Sequence, residues 1–447
     1  MTRLAATLVG ILLGLSVLSA SAASPRAIDI GANQSVWFQE DHTVPMVAVS
    51  ISLPAGSAYD PPSKPGLAAL SAYLLNEGAG NLSSTAFQNE LARRAIQLTL
   101  SPDRDYFTFS FLTLTANAKD AFQLVGLALQ RPRFDADAIG RVRAQMLQSL
   151  RQEGEDPAEL ASRRFFEIFF AGHPYAHEVG GTPEGLGAIT AGDIKAFART
   201  HWVRGGVKIA VAGDIDVLTL TNLLKAAFGP LPAGVPSAPP RVARYSGTGV
   251  TIVPMAVPQS AAMFGLAGIS RSDPDYLAGY VANQILGGGD FSSRLTNEVR
   301  EKRGLTYGIS TNFGDFRGAG YIIGEVASKR ESMSESLAVI RDVLKKFAQE
   351  GPSEDELADA KTYLTGSYPL AFSSNAGIAA QLNSFQREGL PIDYVSRRNS
   401  LINALTLEDV RRAAQRLFNP ARLAVVVAGA APVAAKPVKP GRTAKPR

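Results

Sequence analysis

The sequence predicts an α+β fold of two homologous domains, each a largely antiparallel sheet packed against helices. Three observations carry this. Ile189–Gly213 (ITAGDIKAFARTHWVRGGVKIAVAG) aligns without gaps to Leu405–Gly429 (LTLEDVRRAAQRLFNPARLAVVVAG), an offset of 216 residues. A Pro/Gly-rich stretch, GPLPAGVPSAPP at 229–240, lies between the two copies and reads as a linker. Strand-period patterns occur in runs followed by runs of helical pattern, rather than in the strict alternation a parallel doubly wound sheet needs.

The elements follow in chain order. Arg3, the apolar run Leu8–Leu18 and Ala20-Ser21-Ala22 have the three parts of a secretory signal, so 1–22 reads as a signal peptide. The run is shorter than the ~20 residues a spanning helix needs. The expectation is an exported chain with no membrane span, periplasmic if its source is a Gram-negative bacterium. Val47, Val49, Ile51 and Leu53 alternate as a half-buried strand should, and so do Phe107, Phe109 and Phe111. In the first repeat copy Thr190 is placed to cap a helix whose face is Ile194, Phe197 and Ala198. Ile340, Val343, Leu344 and Phe347 follow the i, i+3, i+4, i+7 rule of one helix face. In the second copy Thr406 caps a helix bearing Val410 and Ala414, and Leu423–Ala428 suits an inner strand. These readings place domains at 23–228 and 246–429, a linker at 229–245 and a disordered basic tail at 430–447.

Composition narrows the chemistry. Of 447 residues 46% are apolar and 19% charged, as in a globular chain. Cysteine is absent, so no disulfide, iron–sulfur cluster or cysteine zinc site can form. Any histidine metal site must draw on His42, His173, His177 or His201. The net charge of +5 is local: Lys436, Lys439, Arg442, Lys445 and Arg447 lie in a tail with no acid, and Arg3 in the leader. What remains is close to neutral, which gives no support to a nucleic-acid partner.

The most specific segment is Asn283–Tyr307, NQILGGGDFSSRLTNEVREKRGLTY. Gly287-Gly288-Gly289 lacks the spacing of a phosphate loop. The string resembles the C-terminal-half signature of the pitrilysin/insulinase family of zinc metallopeptidases, the inverzincins, and the resemblance runs from about Val44 to Gly429. It implies duplicated α+β domains forming half of a clam-shell chamber. It also implies that an arginine and a tyrosine seven residues apart, here Arg300 and Tyr307, project into a catalytic cleft, with Gly287, Gly288 and Gly289 beside the substrate. A guanidinium can hold a substrate carbonyl, and a phenol can donate to the oxyanion formed in peptide hydrolysis.

Active members of that family carry H-x-x-E-H on a helix after the first strand, two histidines for zinc and a glutamate to activate water. Aligned on Gly66-Leu67-Ala68, the three positions hold Ala69, Ala72 and Tyr73. The resemblance places a further acidic ligand near Gln148 or Ser149, both neutral, while Glu153 fits the loop after that helix. The metal apparatus is therefore degenerate, and no cofactor is expected in this chain. The family includes pairs in which one subunit bears zinc and the other the Arg/Tyr pair. The resemblance thus implies a non-catalytic, substrate-binding subunit that completes the zinc site of a homologous partner carrying H-x-x-E-H. Two alternatives stand beside it. One is an inert assembly or peptide-binding protein of the same fold. The other is an autonomous hydrolase using His173, His177 and Glu178, although Pro174 interrupts that set and His-Pro-Tyr is common here in the family without ligating metal. His201 is expected to be partly buried and His42 to lie on the surface.

Overall fold

The structure is a computed structural model that describes residues 24–31, 34–289 and 292–429. The expected signal peptide and basic tail lie outside the described residues.

Each half of the chain builds one sheet. In the first, β1 (Arg26–Asp29), β2 (Ser35–Glu40), β3 (Met46–Leu53), β4 (Gln97–Pro102), β5 (Phe107–Leu114) and β6 (Lys208–Gly213) lie in the order β1-β2-β6-β3-β5-β4. In the second, β7 (Gly249–Pro254), β8 (Gln259–Ala267), β9 (Thr306–Phe316), β10 (Ala319–Lys329) and β11 (Ala424–Gly429) lie in the order β7-β11-β8-β10-β9. The second order matches the first strand for strand once β1 is set aside. In each sheet one pair is parallel, β2 with β6 and β7 with β11, and the other pairs are antiparallel.

The repeated segments have one structure. Thr190 Oγ1 accepts from Asp193 N while the Asp193 carboxylate accepts from Thr190 N, and Thr406 and Asp409 do the same. These reciprocal caps satisfy two free N–H groups in the first turns of Ala191–His201 and Leu407–Leu417. The strand that follows is interior in both sheets. It ends in a glycine with φ +134° (Gly213) or +143° (Gly429), where a Cβ would run into the Met46 carbonyl or Ser260.

One face of the first sheet is covered by helices of its own half, among them Leu67–Tyr73, Ala118–Gln130 and Val217–Phe228. The second sheet is covered likewise by Tyr276–Asn283, Met333–Glu350 and Leu407–Leu417. The remaining faces are covered by exchange. Helix Pro157–Phe169, from the first half, packs on β8 and β11, its Phe165, Phe166 and Phe169 lying against Ile323, Ala424 and Val426. Helix Asn375–Arg387, from the second half, packs on β3 and β6, with Ile378, Ala379, Leu382 and Phe385 against Trp37, Ala48, Ala210 and Ala212. Gly265 makes room for the Phe165 ring, because a Cβ there would sit 2.6 Å from Phe165 Cζ.

Asn383 fixes the second exchanged helix. Its Oδ1 accepts from Ser52 Oγ at 2.6 Å, and its Nδ2 donates to the carbonyls of Ser50 (3.1 Å) and Lys208 (3.0 Å). The side chain is 2% exposed, so no water replaces these bonds. Asn383→Ala removes three buried hydrogen bonds and should cost about 2 kcal/mol or more, read as a fall in the urea midpoint. Ser384→Ala, on the exposed side of the same helix, should change the midpoint little.

Candidate functional site

Helix Leu67–Tyr73 occupies the place where the family resemblance puts the metal motif. Asp60 holds its start. The carboxylate accepts from Gly66 N and Ala68 N, both at 2.7 Å, so it caps the helix from six residues upstream. Gly66 has φ +97°, and a Cβ there would press on Leu186 and on the Gly180 carbonyl. Asp60 is 7% exposed, and burial pushes its pKa up to about 7 against the pull of the two N–H groups.

The helix carries no metal ligand set. Ala69 and Ala72 are buried in the first core and have no donor atom. Tyr73 is 38% exposed and opens onto a cavity of about 600 Å³, walled by Leu98 and Leu100 of β4 and by Met146, Ser149 and Glu153. Glu153 is the last residue of helix Ala136–Glu153 and faces this cavity, rather than lying in the loop after the helix as the sequence suggested. Gln148 does not line the cavity and accepts from Arg151 at 2.7 Å. Glu77, also in the wall, accepts from Ser84 Oγ at 2.6 Å and pairs with Arg141. Two alanines and a phenol cannot hold zinc, so these residues do not fit the metal. Among the described residues no group of three or more His, Asp or Glu is arranged to hold a metal ion. What survives is a groove beside β4, an edge strand whose side chains alternate between exposed and half-buried.

The four histidines have other roles. His173 uses both ring nitrogens, Nδ1 accepting from Tyr175 N (3.1 Å) and Nε2 lying 2.7 Å from the Pro240 carbonyl. Pro174–Ala176 is a single 3₁₀ turn, so His173 and His177 do not share a helix face. Glu178 turns to Arg104 at 3.6 Å, and burial raises its pKa. The three do not form a hydrolytic centre. His201 lies against Phe197 and Tyr59, and burial lowers its pKa. His42 is exposed, its Nδ1 2.5 Å from Asp214, which raises its pKa.

In the second half the glycine–arginine–tyrosine segment divides into anchors and an exposed pair. Leu295, Thr296 and Val299 are buried. Arg294 makes a two-pronged bond to Glu356 (2.6 and 2.7 Å) and donates to the Gly351 carbonyl (2.9 Å). Gly287 is buried against β9, where a Cβ would sit 2.6 Å from Thr311 Oγ1 and 2.9 Å from Leu295 Cδ1. A Cβ on Gly288 or Gly289 would press on Asn283 or Gln284. The three glycines therefore allow tight packing within this chain. Gln284–Gly288 and Thr296–Glu301 are both π-helical turns, a rare form frequent at functional sites. Arg300 lies in the second, its side chain one-third exposed and its Nε 3.5 Å from Glu301. Tyr307, second residue of β9, is 87% exposed, and among the described residues nothing hydrogen-bonds its hydroxyl. Neither Arg300 nor Tyr307 lines the Tyr73 cavity, whose walls come from 73–180.

Sequence reasoning missed Asp60. Its only signal is an aspartate before a Pro-rich turn that leads to a helix-starting glycine, and such a signal does not say which N–H groups it meets.

A duplicated two-sheet peptidase scaffold without metal ligands is the class that this fold and site define. Comparison with known proteins agrees. Residues 35–183 match the family model "Insulinase (Peptidase family M16)", and 188–364 match "Peptidase M16 inactive domain". A solved structure, the peptidase M16 inactive domain from Pseudomonas fluorescens, superposes with a TM-score of 0.88 at 30% identity, covering 93% of this chain and 100% of its own. The non-peptidase homolog YmxG of Helicobacter pylori is 27% identical over 408 residues, 90% of this chain and 93% of that protein. Mitochondrial-processing peptidase subunit beta of Blastocladiella emersonii is 21% identical, over 85% of this chain and 83% of its own. The chain belongs to peptidase family M16, the pitrilysin/insulinase family its motif resembles, as an inactive member with that family's two-domain clam-shell fold.

The capped helix yields a pH signature. Asp60 ionises near 7 when folded and near its ordinary 3.8 when unfolded. Between those values the folded chain binds more protons, so this group makes stability fall as pH rises. Asp60→Asn should flatten the urea midpoint between pH 4 and 7, removing a slope of up to roughly 1 kcal/mol per pH unit. An unchanged slope would show that the carboxyl ionises normally.

Proposed function

We propose that this chain is the exported, non-catalytic, substrate-binding subunit of a zinc endopeptidase, completed by a homologous subunit that carries H-x-x-E-H. The observation that carries the reading is Tyr307: a nearly fully exposed phenol on a strand whose anchoring residues are deeply buried. Among the described residues nothing hydrogen-bonds its hydroxyl, which supports a use for it outside the chain. In this reading the Arg300 guanidinium grips a carbonyl of the bound peptide. The Tyr307 hydroxyl donates to the scissile carbonyl oxygen, where negative charge grows as the bond is attacked. In this reading the tightly packed Gly287–Gly289 turn lets its segment approach the partner's zinc helix. Zinc and the water-activating glutamate belong to the partner. The groove beside Tyr73 and the open edge of β4 suit an extended peptide, which adds to a sheet edge through main-chain bonds.

The test is a quenched-peptide assay of the reconstituted pair. Tyr307→Phe should lower kcat by about a hundredfold with KM little changed, because the lost bond belongs to the transition state. Arg300→Ala should raise KM by about tenfold. Turnover unaffected by Tyr307→Phe would favour a pure assembly role.

A further inference from the structure

A cavity of about 790 Å³ opens where the two halves and the linker meet. Its walls come from the start of β5, the segment after β8, the β9–β10 hairpin, the end of helix Asn375–Arg387 and the linker. Its size and its place between the two halves are those of a small-molecule site, and its wall is rich in charge.

Four guanidiniums face it, Arg241, Arg271, Arg317 and Arg387, against three carboxylates, Asp105, Asp315 and Glu388. Each carboxylate already accepts from or pairs with a donor of the chain, although Asp315 Oδ1 has no hydrogen-bond partner among the described residues. Asp105 accepts from Tyr175 Oη (2.7 Å) and from Arg317 N (3.2 Å). Asp315 accepts from Arg271 N (2.7 Å), and Glu388 lies 3.0 Å from Arg271 Nε. Arg387 is paired at 2.5 Å with Asp103, which is not part of the cavity wall. Two guanidiniums remain with no ion-paired carboxylate among the described residues. Arg317 donates to the neutral Tyr59 hydroxyl (2.7 Å), and the exposed Arg241 has no side-chain partner among the described residues. Arg317 and Arg387 both lie against the Tyr106 ring, at 5.7 and 4.5 Å from its centre. The excess of positive charge reaches Lys208, which burial, and then Arg317, hold below the usual lysine range.

We propose that this cavity binds a small organic anion, its carboxylate or phosphate held by Arg317 and Arg241 and its apolar body lying against Tyr106 and Tyr276. The chemistry is that of a guanidinium meeting an oxyanion, which favours both groups over neutral ligands. A ligand there touches both halves and the linker, so its binding opposes their separation. The site is independent of Arg300 and Tyr307.

Titration calorimetry on the full chain tests it, with phenyl phosphate and N-acetylphenylalanine as probes and benzyl alcohol as the neutral control. At least one anion should bind with Kd of about 1 mM or tighter, and the control should not bind. The tighter of the two identifies the anionic group. Arg241→Ala, an exposed change that leaves the fold intact, and Arg317→Gln should each weaken binding about tenfold. Should Arg317→Gln fail to fold, Arg241→Ala decides alone. No binding of either anion at about 10 mM, or binding untouched by Arg241→Ala, would overturn the proposal.

Discussion

Each sheet owes the cover of its second face to a helix from the other half of the chain. Phe165, Phe166 and Phe169 of the first half fill the space over Ile323 and Val426, and Ile378, Leu382 and Phe385 of the second fill the space over Trp37 and Ala210. A half alone would leave an apolar sheet face in water, at a cost of about 25 cal/mol for each Å² uncovered. The exchange therefore makes two duplicated units one cooperative object. Asn383 adds direction to the apolar contact. Its three bonds fit one placement of the helix over β3 and β6, and a slipped helix would leave them unmade in a dry interface.

This rigid frame explains how the first half keeps its shape without a metal. Leu67–Tyr73 is held by core packing and by the Asp60 carboxylate at its start, neither of which needs zinc. Alanine can stand at one former ligand position and at that of the water-activating glutamate, and the groove persists with mixed polar and apolar walls. In the second half the Arg294–Glu356 bridge and the packed Gly287 hold the motif while Tyr307 stands in solvent. Structural demand and exposed chemistry thus fall on different residues of one segment.

Much of the architecture was legible because its signals are local. Thr190 with Asp193, and Thr406 with Asp409, declare a helix start over four residues, and both caps are present. The alternation at Val47–Leu53 and Phe107–Phe111 marks two central strands, now β3 and β5. The helix exchange was not legible. Phe165 and Phe169 announce an apolar face, but their spacing cannot name a sheet in the other half of the chain. The glycine run shows the limit from another side. From sequence it is only a glycine run without phosphate-loop spacing, whereas the reason for Gly287 is Thr311, a distant residue brought near by the fold. Glu153 was placed just past the end of its helix because helix ends fray and carry weak signals. The site pair, Arg300 and Tyr307, was found by family resemblance; spacing alone would not have marked it.

The central claim is that this chain supplies part of an active site whose metal another chain carries. The most direct measurement is peptide turnover by the purified chain, by a homologue bearing H-x-x-E-H, and by their equimolar mixture, with zinc content measured for each. The account predicts zinc in the homologue alone and rapid cleavage only in the mixture. Cleavage by this chain alone, or a mixture no faster than the homologue by itself, would contradict it.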